Sequence, residues 1–382
     1  MGEAKVPFKQ IKNINKGMKY PVYQPCLTGN EKKYVDECLE TSWISSKGHF
    51  VTDFEKKFSN YIGVKYGVAV FNGTVAIHLA LMALDIKDDD EVIVPSFTYV
   101  ASANPVVMVG AKPVFVDSLM ASWQMDPEDI KRKMTSKTKA VIAPHMYGHP
   151  CDMDAICKIC KDNNLFLIED CAEAIGSQYH GKMIGSFGDI SCFSFFGNKT
   201  ITCGEGGMVV TNDENLYRKA ANLKNQGLSP VREYWHDVVG YNYRMTNIQA
   251  AIGLAQFEHI EPIIKAKIDN ANWYMEELAD LHVVFHKPAE KDIVHTYWMC
   301  SVLCEDMKTR DGVRSYLKEN GVETRPTFNT IHTMPMYLNN NGDVFPVAEA
   351  LAERGMNLPS YPQLTREDIH DICSVIRSYF RK

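Results

Sequence analysis

Four short segments carry residues whose types and order could do chemistry. Lys199 sits in a polar loop, Ser194-Phe195-Phe196-Gly197-Asn198-Lys199-Thr200, beside the glycine cluster Gly204-Glu205-Gly206-Gly207. Most lysines are solvated surface charges. One enclosed between two apolar strands has a lowered ammonium pKa and an amine available as a nucleophile. Glu169-Asp170 ends the apolar run 165–168. A carboxylate at the end of a buried strand needs a partner, either a protonated ring nitrogen or the start of the next helix. Asn72-Gly73-Thr74 stands between a strand and a helix, where free N–H groups and the helix dipole make an anion site; a capped turn explains it equally well. Pro95-Ser96-Phe97-Thr98-Tyr99 follows another strand and offers an aromatic ring to a flat ligand or to the core.

The glycine cluster is not a dinucleotide fingerprint, because it precedes a strand and does not open a helix. Nor is it a P-loop, which needs Gly-Lys-Ser/Thr before a helix. Together the four segments offer a Schiff-base lysine, a carboxylate for a ring nitrogen, a phosphate cradle and a stacking aromatic. That set describes a pyridoxal 5′-phosphate (PLP) site.

Such loops need a scaffold. Apolar runs at 68–71, 91–95, 113–116, 140–144, 165–168, 191–195 and 208–211 alternate with helical patterns at 74–84, 101–109, 155–161 and 216–225. The alternation predicts a mostly parallel sheet with helices on both faces. Ligands of such sheets bind beyond the carboxyl ends of the strands. Two long helices are expected at 247–261 and 263–281, with Pro262 starting the second. Beyond them a strand at 298–303 mixes with helices at 310–320 and 366–379, and 339–342 reads as a polar turn. The expected division is a mobile tail at 1–20, with Lys5, Lys9, Lys12, Lys16 and Lys19, then a large domain at 21–260 and a smaller α+β domain at 261–382.

Composition bounds the rest. The 382 residues are 45% apolar and 23% charged, a globular mixture that excludes disorder. The formal charge of −6 lacks the basic excess of a nucleic-acid binder. No apolar run approaches the roughly 20 residues of a membrane span, and no signal peptide is read. Eleven cysteines without a framework read as reduced thiols, hence a cytoplasmic protein. Cys157 and Cys160 fall in a helical pattern and lack a second pair at zinc-site spacing. His145 and His149 complete no convincing metal site, and none is expected.

The chain resembles the DegT/DnrJ/EryC1/StrS sugar aminotransferases, a fold-type I, aspartate-aminotransferase-like family. The resemblance runs from about Tyr20 to the C-terminus. It is carried by Trp43-Ile44-Ser45-Ser46, Asn72-Gly73-Thr74, Glu91-Val92-Ile93-Val94-Pro95-Ser96, Glu169-Asp170-Cys171-Ala172-Glu173-Ala174, residues 193–207 and Gly240-Tyr241-Asn242-Tyr243-Arg244-Met245. It implies an α/β fold with a large sheet domain and a small C-terminal domain. It implies that Lys199 is catalytic and bonds PLP covalently, that Asp170 pairs with the ring nitrogen and that Tyr99 stacks on the ring. Gly73, Thr74 and Ser194 would hold the phosphate, and Glu173 would lie near the ring hydroxyl. Asn242 would reach the phosphate from a neighbouring subunit, which makes the active unit a homodimer or larger.

The implied reaction moves an amino group from L-glutamate to C4 of a nucleotide-linked 4-keto-6-deoxy hexose, through a pyridoxamine 5′-phosphate form. Glu173 and Phe196 resemble the branch that acts on GDP-4-keto-6-deoxy-D-mannose, whose product feeds a surface glycan such as the O-antigen of lipopolysaccharide. Much of the wider family has histidine at the position of Phe196, so no histidine can act there. Lys199 itself argues against a related dehydratase branch that carries histidine in its place. The rival readings are a UDP- or dTDP-linked acceptor and, from another class, a non-catalytic PLP-binding regulator. For the substrate diphosphate, Arg232, Arg244, Arg325, His295 and His332 are candidates, with Arg244 and His332 foremost. Trp43 is the candidate to pack against sugar or base.

Overall fold

A computed structural model describes residues 17–27, 29–338 and 342–381. Lys5, Lys9, Lys12 and Lys16 of the expected tail, and 339–341 of the expected turn, lie outside them. Seven strands form the main sheet: β1 Tyr66–Val70, β2 Glu91–Pro95, β3 Lys112–Val116, β4 Thr138–Pro144, β5 Phe166–Asp170, β6 Ile190–Ser194 and β7 Gly207–Thr211. Their order is β1-β7-β6-β5-β4-β2-β3. Only β7 runs against the others, antiparallel to both β1 and β6. The remaining pairs are parallel.

Both faces of this sheet are buried, which is why its strands read as unbroken apolar runs. Alternate residues feed separate cores. Val141, Leu167, Phe193 and Val210 join one, and Ala140, Ile142, Ile168, Cys192 and Val209 join the other. The helix His49–Ile62 closes the first core, setting Phe54 and Phe58 against Phe195. The helix Gly73–Ala83 closes the second; it is buried almost all round because it lies flat on β6 and β7.

A smaller sheet follows: β8 Val284–Phe285, β9 Cys300–Leu303, β10 Arg325–Pro326 and β11 Gly355–Leu358, antiparallel in the order β8-β9-β11-β10. The helix Ile260–Glu277 joins the two units. Ile260, Ile263 and Ile264 pack in the first core, whereas Ala271 and Tyr274 pack in the core of the small unit. The division expected at 260/261 therefore falls at the head of a helix shared by both. Its buried Lys267, Asn270 and Tyr274 donate to the carbonyls of Ser360, Tyr361 and Pro359 at 2.8, 3.0 and 3.0 Å.

Local differences from the sequence reading have physical causes. The helix expected at 101–109 splits into a short 3-10 turn, Val100–Ser102, and a helix, Asn104–Met108, with Pro105 in its first turn. The long helices part at Glu258 and His259, so Pro262 sits within the first turn of the second and not at the break. The first missing donors of a helix are where proline costs nothing. Residue 20 is not tail: Tyr20 donates its N–H to Gly321 O at 3.0 Å and its hydroxyl to Asp371 at 2.9 Å. Among the described residues no helix is long and apolar enough to cross a membrane.

Candidate active site

Parallel strands end at one edge, and there the chemistry collects. Pro95, Pro144, Asp170 and Ser194 are the last residues of β2, β4, β5 and β6. Because β7 runs the other way, Gly207 starts at the same edge, in register with Val70 and Ser194. A cavity of about 320 Å³ opens over this edge. It is lined by Gly73, Thr74, Tyr99, Asp170, Glu173, Ser194 and Lys199, with Trp298 and Phe328 from the small unit.

One corner suits a phosphate. Asn72 caps the helix Gly73–Ala83 by accepting from Val75 N–H at 3.0 Å. The capping reading is therefore correct, and the first residues of the helix, Gly73 and Thr74, line the cavity together with Ser194. A Cβ at residue 73 would lie 2.8 Å from Ser194 Cβ, and one at residue 207 would lie 2.4 Å from Asn72 O. Glycine is required at both for the turn to approach the end of β6 so closely.

Asp170 is buried at the cavity floor. Its Oδ2 accepts from Ser102 Oγ at 2.7 Å and its Oδ1 from Ala172 N–H at 3.1 Å. Behind it, Glu169 accepts the N–H groups of Gly185, Phe187 and Gly188 at 2.7–2.8 Å and the Ser191 hydroxyl at 3.1 Å. Burial pushes the Glu169 carboxyl up, but His145 and these N–H groups outweigh it and hold it below the ordinary value. Cys151 N–H donates to His145 Nδ1 at 3.0 Å, so the ring proton sits on Nε2, which faces Glu169 Oε2 at 3.3 Å. His145, Glu169 and Cys171 are close enough to hold a metal. These bonds commit the carboxylate and imidazole, and burial raises the Cys171 thiol pKa well above normal. The trio is an anchor for the end of β5, where Asp170 must be held.

Lys199 lies across the cavity, 9% exposed. Its Nζ is 3.5 Å from Glu173 Oε1 and 3.9 Å from the centroid of the Trp298 ring. Glu173 Oε2 accepts Tyr147 N–H at 2.8 Å. Burial raises the Glu173 carboxyl pKa to about 7, with Lys199 and the Tyr147 N–H opposing. Tyr147 makes that bond from a left-handed backbone, φ +57°. A bulky residue there is strained. It is over-determined by stacking on Phe328 and by accepting Phe328 N–H at 3.0 Å.

The structure thus brings together Gly73, Thr74, Tyr99, Asp170, Glu173, Ser194 and Lys199, seven residues spread over 127 positions. Tyr99 stays 54% exposed, its ring 5.3 Å from that of Phe328. Seven other expected residues do not line this chain's cavity. Asn242 accepts from Arg244 Nε at 2.8 Å, and Arg244 also donates to Asn225 at 3.2 Å. Trp43 is exposed, its carbonyl held by Asn247 at 2.7 Å. His332 has both ring nitrogens engaged, by Ser96 Oγ at 2.6 Å and Glu349 at 3.2 Å. That latch ties the turn after β2 to the helix Pro346–Arg354. Arg325 pairs with Glu323 at 2.6 Å, Arg232 stacks on Trp235, and His295 is buried against Tyr297. Cys157 and Cys160 lie on the helix Met153–Asp162, their thiol pKa values raised by burial to about 11 and about 12.

Residues 25–377 match the model of the DegT/DnrJ/EryC1/StrS aminotransferase family. The chain belongs to this family. Among its relatives, the GDP-perosamine synthase of Escherichia coli O157:H7 is 55% identical over 364 residues, covering 95% of this chain and 99% of the relative. The GDP-perosamine synthase of Vibrio cholerae is 49% identical over 363 residues, covering 94% and 99%. A putative sugar aminotransferase of Streptococcus pneumoniae, solved in its PLP form, superposes with a TM-score of 0.88 at 26% identity, covering 94% and 98%. In this aminotransferase fold, Ser102, Tyr147, Trp298 and Phe328 are the site residues that the sequence reading missed. Ser102 had a faint signal, a small hydroxyl in the turn after Tyr99. The other three carry none, because Trp298 and Phe328 reach the cavity, and Tyr147 reaches Glu173, only through tertiary packing.

Proposed function

We propose that this enzyme transfers the amino group of L-glutamate to C4 of GDP-4-keto-6-deoxy-D-mannose, giving GDP-perosamine, with PLP as cofactor. The observation that carries the cofactor reading is that Lys199, Asp170, Gly73, Thr74 and Ser194 line one cavity, with Gly73 packed directly against Ser194. The two GDP-perosamine synthases support the choice of sugar nucleotide.

These residues fit PLP. The helix start at Gly73 and Thr74 and the Ser194 hydroxyl would hold its phosphate. Asp170, oriented by Ser102 and Ala172, would keep its ring nitrogen protonated. Tyr99 would cover its ring. When bound, PLP supplies an electron sink conjugated to the carbon being deprotonated. With the group bound, Lys199 would be the residue that takes the proton from the α-carbon of the donor and later gives one to C4 of the sugar. A flexible amine in a half-enclosed site suits both transfers. Glu173, its pKa raised by burial to about 7, would hold the amine's return position and take or give a proton beside it. The Trp298 and Tyr147 rings shield the pair from water.

A homodimer or larger assembly belongs to the proposal, with Asn242 and Arg244, which lie off this chain's cavity, serving the partner's. So does cytoplasmic residence, which the scattered and mostly buried cysteines support. The test is turnover with L-glutamate and GDP-, UDP- and dTDP-linked 4-keto-6-deoxy sugars. A GDP preference is expected. Equal rates would overturn the nucleotide assignment, and no turnover with any would favour a PLP-binding regulator.

A further inference from the structure

The backbone of the reactive lysine is held from outside the sheet that presents it. The loop ties itself by Lys199 N–H to Phe196 O at 2.9 Å and by Thr202 Oγ1 to Phe195 O at 3.1 Å. Neither bond takes the carbonyls of Asn198 and Lys199. Both go to aromatic side chains on the small unit's side. Trp298 Nε1 donates to Asn198 O at 2.7 Å. The Tyr23 hydroxyl donates to Lys199 O.

Tyr23 is itself well placed to act as a fixed post. Its neighbours are docked on the small unit: Val22 N–H donates to Glu323 at 3.1 Å, Ser360 N–H to Val22 O at 3.2 Å, and Gln363 to Pro25 O at 3.2 Å. Lys267 Nζ lies 5.2 Å from the centroid of the Tyr23 ring. That ammonium is fully buried and donates to Ser360 O at 2.8 Å. Among the described residues no carboxylate pairs with it; a ring face and a carbonyl are its partners.

We propose that Tyr23 is a positioning residue for Lys199. Its hydroxyl fixes the main chain from which the amine swings, so that the placement of the small unit sets the home position of the amine. This rests on the reading of Lys199 given above. The amine must leave its carbonyl partner, carry a proton and return, and a misplacement of about 1 Å costs on the order of a hundredfold in such a step.

Tyr23→Phe keeps the ring on Lys267 and removes only the hydroxyl. Tyr20→Phe, on the same segment, removes the bond to Asp371 and serves as the control for docking. Three readouts apply to each protein: the rate at which apoprotein bonds added PLP, trapped by borohydride and mapped by mass; kcat and KM for L-glutamate; and Tm. For Tyr23→Phe the expectation is complete labelling of Lys199 at a rate several-fold slower, kcat down about tenfold, KM within about twofold, and an unchanged Tm. Tyr20→Phe should match wild type in rate and kcat. Wild-type labelling and kcat in Tyr23→Phe would overturn the inference. So would equal slowing in both variants with a lowered Tm, which would make the segment a generic brace. If wild type itself were labelled elsewhere than Lys199, the functional reading would fail instead.

Discussion

Replacing Glu173 by glutamine should stabilise the apoprotein in alkaline solution and not in acid. Burial raises this carboxyl from 4.5 to about 7. The folded state then holds the proton more tightly than the unfolded state. Such a group contributes stability that is present below pH of about 4.5 and is lost as pH rises through about 7. At about 1.4 kcal/mol per pH unit, the loss approaches about 3 kcal/mol above neutrality. Glutamine keeps an acceptor for Tyr147 N–H and carries no charge to desolvate. Urea unfolding of wild type and Glu173→Gln, at one protein concentration, should therefore show a stability gap that moves by about 3 kcal/mol in favour of glutamine between about pH 4.5 and about pH 8.5. In a Lys199→Ala background the opposing cation is gone. The carboxyl should rise further, and the gap should widen. A gap flat to within about 0.5 kcal/mol, or one moving toward wild type, would refute the desolvation argument.

Three further outcomes check the site. Lys199→Ala should still bind PLP through the phosphate corner and Asp170, measured by fluorescence titration, but borohydride should fix no label and turnover should vanish; residual wild-type rates would remove Lys199 from its role. Gly73→Ala drives a Cβ to 2.8 Å from Ser194, so PLP affinity should fall by about tenfold or more while inorganic assays of fold, such as far-UV circular dichroism, stay unchanged; undiminished affinity would place the phosphate elsewhere. His332→Ala breaks the latch between Ser96 and Glu349 and should lower Tm by a few degrees with KM for the sugar nucleotide within about twofold; a large rise in KM would instead assign His332 to the substrate diphosphate.

What could be read from the sequence divides along a physical line. Both faces of the seven-stranded sheet are covered, so its strands are continuous apolar runs and most were legible, as were the loops at their carboxyl ends. Strand direction was less so: nothing in Gly207-Met208-Val209-Val210 announces that β7 runs backwards. The helices Glu31–Glu40 and His49–Ile62 went unread, although the second carries a clear apolar face through Phe50, Phe54 and Phe58. Lys199, Asp170 and Gly73 were legible because each is a charge or a glycine at or just beyond a strand end, where it demands a reason, whereas Ser194 was named through the family resemblance.

The residues that went unseen share a different property. Ser102, Tyr147, Trp298 and Tyr23 are ordinary residue types whose effect depends on meeting a partner 68, 26, 100 or 176 positions away. Local pattern cannot encode such a meeting. The sequence marks the groups that bear charge, since burying charge is costly wherever it occurs. It leaves unmarked the neutral donors that orient them, because a tyrosine or serine is tolerated in many surroundings. His332 is a charge-capable residue whose surroundings the sequence leaves equally unmarked: its two ring nitrogens join a strand end to the helix Pro346–Arg354. Charge-bearing residues therefore locate a site of this kind, and the hydrogen bonds of the uncharged ones decide how tightly its geometry is held.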